Sequence, residues 1–237
     1  MHCQLAVPLA SPDSSQVDPI IARGGMSLRL ARAVVFDFGN VIARFSHRMA
    51  AEALASYSPG ADPALIQSFC FGSDLDDAFE RGAMTPEKFR DKVRAEFRLS
   101  CDDAAFDRAF ADIFSPILPV IELAGSLAGR MPLVLLSNTT PLHSRWFLRE
   151  MRAELAVFDH LVMSHETGHR KPEPGIFAHV ERLTGLPCGA HVLIDDMTAN
   201  VAGARSAGWN GIIFGESTDL PAELASLGVK IEPGDTR

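Results

Sequence analysis

The sequence predicts an α/β fold, a parallel sheet flanked by helices and interrupted after its first strand by an all-helical insertion. Apolar runs ending in polar or acidic residues recur at 33–38, 133–138, 160–164, 191–196 and 211–215, and helical patterns separate the later ones. Near-continuous apolar runs are what strands buried on both faces require, so these read as a parallel sheet. Between the first and second runs the pattern is helical throughout.

The elements follow in order. The run at 33–38 is the first strand. Helix starts then stand at Asp62-Pro63 and Thr85-Pro86, where a capping side chain precedes a proline that helices accept in their first turn. Phe89, Val93 and Phe97 share one helical face. Ser100 with Asp103 has the spacing of a capping box, and Phe106, Phe110, Ile113 and Phe114 follow at helical intervals. Ser115-Pro116 and Leu118-Pro119 predict a semi-rigid linker into a helix over 120–129. A strand over 133–138, one over 160–164, a helix over 175–184 and strands over 191–196 and 211–215 complete the chain. Residues 1–25 read as a disordered leader, with either Met1 or Met26 as the true start. The sheet domain is expected over 26–45 and 116–237, and the helical insertion over 46–115.

Composition excludes several classes of function. With 22 Lys and Arg against 30 Asp and Glu, the net charge of −8 disfavours a nucleic-acid partner, because phosphate backbones are held by clustered cations. No apolar run reaches the roughly 20 residues of a membrane span. The four cysteines form no C-x-x-C pair, which fits reduced thiols in a cytoplasm. The mixed charges over 81–98 read as a solvated helix face, because both signs are interspersed along an amphipathic pattern.

Polar residues at the strand ends are the candidate site, since ligands of parallel sheets sit there. Val34-Val35-Phe36-Asp37-Phe38-Gly39-Asn40 places an acid on a buried strand before a glycine turn. Leu136-Ser137-Asn138-Thr139-Thr140-Pro141 runs into a helix start, where hydroxyl and N–H groups can hold an anion. Gly168-His169-Arg170-Lys171-Pro172 fixes a lysine in a proline-bounded loop, and Ile194-Asp195-Asp196 with Asn200 sets two acids side by side. Taken singly, the first three have plain readings as a turn residue, an N-cap and an exposed lysine. Adjacent carboxylates repel unless a cation or proton intervenes, and so resist a purely structural account.

In this order, and on successive strand ends, the motifs resemble the haloacid dehalogenase superfamily over about 26–215. The DFGNV, SNTT-x-x-H, G-x-RKP-x-x-x-IF and DD-x-x-x-N segments are similar to its glucose-1-phosphate phosphatase subfamily. The resemblance implies a Rossmann-like parallel sheet flanked by helices, with a small helical cap after the first strand. It implies a magnesium-dependent phosphatase acting on a small phosphorylated metabolite, expected to be a sugar phosphate, in a monomer or homodimer. Asp37 would be the nucleophile, and Ser137, Asn138 and Lys171 would bind phosphate. Mg2+ would be held by Asp37, the Gly39 backbone carbonyl and Asp196, with Asp195 beside it or joined through water.

One position departs from the pattern. Phosphatases of this superfamily carry a second Asp two residues after the nucleophile as general acid and base; here Gly39 stands there. Such a group is worth about 10²- to 10⁴-fold, so a cap residue, a water or a substrate hydroxyl is expected to replace it. An Asp at 39 should then help poor leaving groups, unless Gly is needed for a positive φ or a close approach. Glu80 and Arg81, before Gly82, are placed at a cap turn where either faces substrate or forms an ion pair. His143, His165 and His169 flank the motifs and read as surface or supporting residues. The alternatives are a 2-haloacid dehalogenase, whose family pattern opens on D-x-Y and lacks the paired acids, and a non-catalytic phosphometabolite-binding protein.

Overall fold

The computed structural model describes residues 30–231, so the expected leader and the start at Met26 lie outside the described residues. In chain order, β1 (Ala33–Phe36) leads through a tight turn to β2 (Ala43–Phe45). Five helices come next: α1 (His47–Ala55), α2 (Pro63–Cys70), α3 (Asp74–Glu80), α4 (Pro86–Phe97) and α5 (Asp103–Ala111). β3 (Phe114–Pro116) then returns antiparallel to β2, and α6 (Leu118–Leu127), β4 (Leu133–Ser137) and α7 (Pro141–Glu150) follow. β5 (His160–Met163), the single turn α8 (Ser164–Thr167), α9 (Pro174–Thr184), β6 (His191–Asp195), α10 (Thr198–Ser206), β7 (Asn210–Ile213) and α11 (Leu220–Ser226) complete the fold.

The main sheet has the order β5-β4-β1-β6-β7, with every pairing parallel. Its strands alternate between two cores, as period-two side chains must. Val34, Phe36, Leu133, Leu135, Val192 and Ile194 pack on one face with Leu123 and Phe147. Val35, Val134, Leu136 and Leu193 pack on the other with Ile176, Phe177 and Val180 of α9. From β1 the chain moves outward through β4 and β5, then jumps back to β6 on the other side. This reversal opens a crevice at the strand ends beside β1.

The helical insert has its own core, in which Phe79, Phe89, Phe106 and Phe110 are fully buried. Burying each such ring stabilises by roughly 1.5–3 kcal/mol. Asp62 and Thr85 cap α2 and α4 as expected, accepting from the N–H groups of Ala64 and Lys88. The third start differs. Asp102, not Ser100, caps α5 by accepting from Ala105 N–H, while Ser100 Oγ donates to the Tyr57 carbonyl. Ile113 and Phe114 also leave the helical pattern, since α5 ends at Ala111, and Phe114–Pro116, expected in part as linker, pairs with β2 as the second of two crossings into the insert. The site strands end one or two residues earlier than expected, since Asp37, Asn138 and Asp196 have left the ladder. No helix among the described residues is long and apolar enough to cross a membrane.

Candidate active site

The ends of β1, β4 and β6 face the insert across a cavity of about 720 Å3. Asp37 follows β1, its N–H donating 2.9 Å to the Ile194 carbonyl, and its Oδ1 accepts from Phe38 N–H at 2.7 Å. Lys171 reaches the same point from the loop before α9, although its side chain is only 1% exposed. Its Nζ lies 2.6 Å from Asp37 Oδ1, and donates to Asp195 Oδ2 at 2.7 Å and to the Leu136 carbonyl at 2.8 Å. All three ammonium protons therefore have acceptors, which is what makes a buried lysine tolerable.

Burial lifts the Asp37 carboxyl to about 7, with Lys171 pulling it down and Asp195 pushing it up. Burial works against the Lys171 charge, but Asp37 and Asp195 outweigh it and hold the ammonium above its usual range. Asp195 is wholly buried and nearly saturated: besides Lys171 it accepts from Met197 N–H at 2.9 Å and from Asn200 Nδ2 at 3.0 and 3.1 Å. Asp196 is more open, with Oδ2 accepting from Asn40 Nδ2 at 2.9 Å.

Ligand oxygens of Asp37, Asp195 and Asp196 all lie within 4.8 Å of one another. Two of these carboxylates share one ammonium and the third has none among the described residues, and the excess negative charge is what a divalent cation would neutralise. The turn after Asp37 is closed by Ala43 N–H to the Phe38 carbonyl and Asn40 N–H to the Ala43 carbonyl, so neither bond uses the Gly39 carbonyl. An all-oxygen donor set with excess charge fits a hard cation such as Mg2+.

Ser137 and Asn138 both line the cavity, but the Asn138 side chain has another task. Its Oδ1 accepts from Lys171 N–H at 2.8 Å and its Nδ2 donates to the Lys171 carbonyl at 2.9 Å, clamping the lysine's backbone. Gly39 is not a positive-φ glycine; the left-handed residue is Asn40, at φ 55°, a conformation Asn tolerates. What constrains Gly39 is Phe45, because a Cβ at 39 would stand 2.7 Å from its Cε1.

The facing wall comes from the insert and from α7, and little of it is legible in the sequence. His47 stacks on Phe71 at 3.9 Å, and His143 of α7 stacks on Phe110 at 4.4 Å with Nε2 3.2 Å from the Phe110 carbonyl. Burial lowers His47 to about 4 and His143 to about 3, so both rings are neutral near pH 7. His143 is thus fully enclosed rather than superficial. Gln67, Ser68, Asp76 and Glu80 complete this wall, and only Glu80 had been marked beforehand.

Ion pairs join insert to sheet at the rim. Arg170 lies 2.7 Å from both Asp77 Oδ1 and Glu80 Oε2, and Arg81 bridges Asp77 at 2.8 Å and Glu173. Gly82 presses against the start of α8, where a Cβ would meet the His165 carbonyl at 2.1 Å, and its φ of +70° also calls for glycine.

The chain is similar to several known proteins. The chain is 25% identical to a sesquiterpene phosphatase of Aspergillus oryzae, over 83% of this chain and 96% of that one. It is 24% identical to a D-ribitol-5-phosphate phosphatase of Bacteroides thetaiotaomicron, over 84% of this chain and 98% of that one. Among solved structures, a haloacid dehalogenase family enzyme of B. thetaiotaomicron in complex with magnesium and inorganic phosphate superposes with a TM-score of 0.72. The two are 21% identical, and the match covers 81% of this chain and 98% of that one. The L-2-haloacid dehalogenase of Xanthobacter autotrophicus gives a TM-score of 0.58 at 18% identity, covering 87% of this chain and 86% of that one. Residues 31–208 match the haloacid dehalogenase-like hydrolase family, and with its phosphatase relatives, its parallel sheet and its strand-end carboxylates the chain belongs to that family.

Proposed function

We propose that the chain is a magnesium-dependent phosphatase that hydrolyses a small phosphorylated metabolite through an aspartyl-phosphate on Asp37. The observation that carries this reading is a buried ammonium 2.6 Å from Asp37 within a cluster of three carboxylates. A binding module has no use for a nucleophile set beside excess acid, and a dehalogenase, which attacks carbon without a metal, has no use for the second and third carboxylates. Helical residues 46–115 act as the cap over the sheet domain of 26–45 and 116–237.

Asp37 attacks phosphorus with the Oδ that Lys171 does not hold. Lys171 keeps Asp37 aligned and lowers the cost of charge on the transferring group, while Ser137 Oγ and Asn138 N–H donate to phosphoryl oxygens. The Asn138 side chain supports this indirectly by fixing the Lys171 backbone. Asp37, the Gly39 carbonyl and Asp196, with Asp195 behind them, would hold Mg2+, which would neutralise phosphoryl charge. Lining by Gln67, Ser68 and Asp76 favours a hydroxyl-rich leaving group, in keeping with resemblance to glucose-1-phosphate phosphatases and with a polyol-phosphate phosphatase among the relatives.

A panel of phosphomonoesters, including ribitol 5-phosphate, glucose 1-phosphate and p-nitrophenyl phosphate, tests the reading with and without chelator. Phosphate release should stop in chelator, return with Mg2+ and be absent from a folded Asp37→Asn variant. Halide release from a 2-haloacid in excess chelator would establish the dehalogenase instead.

A further inference from the structure

We propose that Glu80 supplies the proton to the departing alcohol oxygen and later accepts one from the attacking water, the role that Gly39 leaves unfilled. The proposal rests on the phosphatase reading above. It starts from a steric fact: the space an acid at 39 would need is taken by the Phe45 ring. Proton transfer must therefore come from elsewhere on the cavity wall.

Beyond the acidic cluster and Lys171, the ionisable side chains lining the cavity are His47, Asp76, Glu80, His143 and Arg170. Arg170 does not give up its proton. His47 and His143 are stacked among phenylalanines, and their conjugate acids are too strong to persist near neutrality. Asp76 turns an oxygen into its own helix start, where Oδ2 accepts from Gly72 N–H at 2.8 Å.

Glu80 differs from all of these. It ends α3 with its side chain 15% exposed, and the Ser164 hydroxyl pins its backbone by donating 2.7 Å to its carbonyl. Oε2 is charge-paired with Arg170 at 2.7 Å but accepts no hydrogen bond, and no described residue donates to Oε1. The charged groups acting on it are Asp76 and Asp77 of α3 and Arg170 and Lys171 of the facing loop; Arg81 is spent on Asp77 and Glu173. Burial first, then Asp76, raises its carboxyl to about 7 against the pull of Arg170 and Lys171. That range suits a group that must both give and take a proton at neutral pH.

The chemistry balances. As the Asp37 oxygen bonds phosphorus, the bond from phosphorus to the alcohol oxygen breaks, and the electron pair leaves on that oxygen with the Glu80 proton. In the second step water oxygen bonds phosphorus, the pair of the acyl-phosphate bond returns to Asp37, and the water proton restores Glu80.

The test compares p-nitrophenyl phosphate with ribitol 5-phosphate, in kcat/KM across pH, for the wild type, Glu80→Gln, Asp76→Asn and Asp77→Asn. Because kcat/KM counts only steps through alcohol release, Glu80→Gln should lose about 10²- to 10⁴-fold on the alkyl ester and under about 10-fold on the aryl ester, whose oxygen needs little protonation. The wild type should lose alkyl activity as pH rises through about 7. That limb should vanish in Glu80→Gln, move to lower pH in Asp76→Asn and persist in Asp77→Asn, which loosens the same ion pairs but keeps the acid. Equal losses on both esters with the limb intact would overturn the proposal and leave Glu80 as a fastener for Arg170. A limb lost in Asp76→Asn but kept in Glu80→Gln would overturn it in favour of Asp76. Wild-type release of phosphate that Asp37→Asn lacks secures the underlying reading independently, and no release from either ester would remove both.

Discussion

On the sheet side of the cavity, Lys171 lies between Asp37 and Asp195, and each charge is held by an opposite one. On the facing wall, His47 of the insert and His143 of α7 are kept uncharged among Phe71 and Phe110, and Arg170 pairs with Asp77 and Glu80 at the rim. One wall concentrates charge at the strand ends, where Lys171 from the loop before α9 meets Asp37 and Asp195. The other sets two neutral imidazoles among aromatic rings, and a lining of low polarity strengthens charge interactions made across from it. The ammonium–carboxylate cluster and the neutral aromatic contacts thus stand on opposite walls of one cavity.

Breaking the charged wall should have the largest effect. Lys171→Met leaves Asp37 and Asp195 buried without their cation, and a loss of about 3–5 kcal/mol is expected in urea unfolding at pH 8, along with turnover. A variant as stable as wild type at that pH would mean that the two carboxylates share a proton instead. Lowering the pH should rescue the variant, since protonation of either acid removes the conflict.

Moving charge across the divide should do less. Gly39→Asp forces Phe45 aside, and overpacking of this kind costs about 1–3 kcal/mol. The single variant should melt lower without faster turnover. Adding Phe45→Ala removes the clash together with the ring's own packing, so the double variant should recover little of the midpoint, and it should not exceed wild type on alkyl phosphates if Glu80 already supplies the proton. Equal midpoints for the single variant and wild type would show that the ring yields freely.

The smallest effect belongs to the neutral wall. Unfolded, His143 takes up a proton as pH falls below about 6.5; folded, it resists down to about 3. The wild type should therefore lose stability as pH drops from 6.5 towards 3, because the unfolded state binds the extra proton. His143→Phe should cost about 0.5–1.5 kcal/mol at pH 7.5 through its lost bond to the Phe110 carbonyl, and should show a shallower acid slope. Parallel melting curves across this window would show that another group carries the acid sensitivity.

The same divide governs what could be read from sequence. The sheet was legible because Val34, Phe36, Leu135 and Ile194 are buried on strands whose ends carry the reacting groups, so motif and position coincide. Asp37, Lys171, Asp195 and Asp196 converge as expected. The Asn138 clamp and the Asn40–Asp196 bond depend on side-chain direction across more than 30 and 150 residues of chain, which no local pattern records. In the insert, Phe71 and His47 meet only through tertiary packing, and the α5 start was misplaced because Ser100 and Asp102 both have the chemistry of a cap. Phe45 had no signal at all, since its effect on Gly39 is purely one of occupied space.

The strand order has a consequence for how the chain is made. β1 leads into Asp37 and emerges first, yet its sheet partners β4 and β6 begin only at Leu133 and His191. During synthesis the run Ala33–Phe36 has apolar faces and open backbone groups with nothing to pair, while the helices that follow can satisfy themselves locally. The insert is then the first unit able to collapse, and it keeps the β2 and β3 crossings together while the central strand waits. A protein built this way acquires its helical insert before its sheet, and the sheet closes only when about the last fifth of the chain arrives.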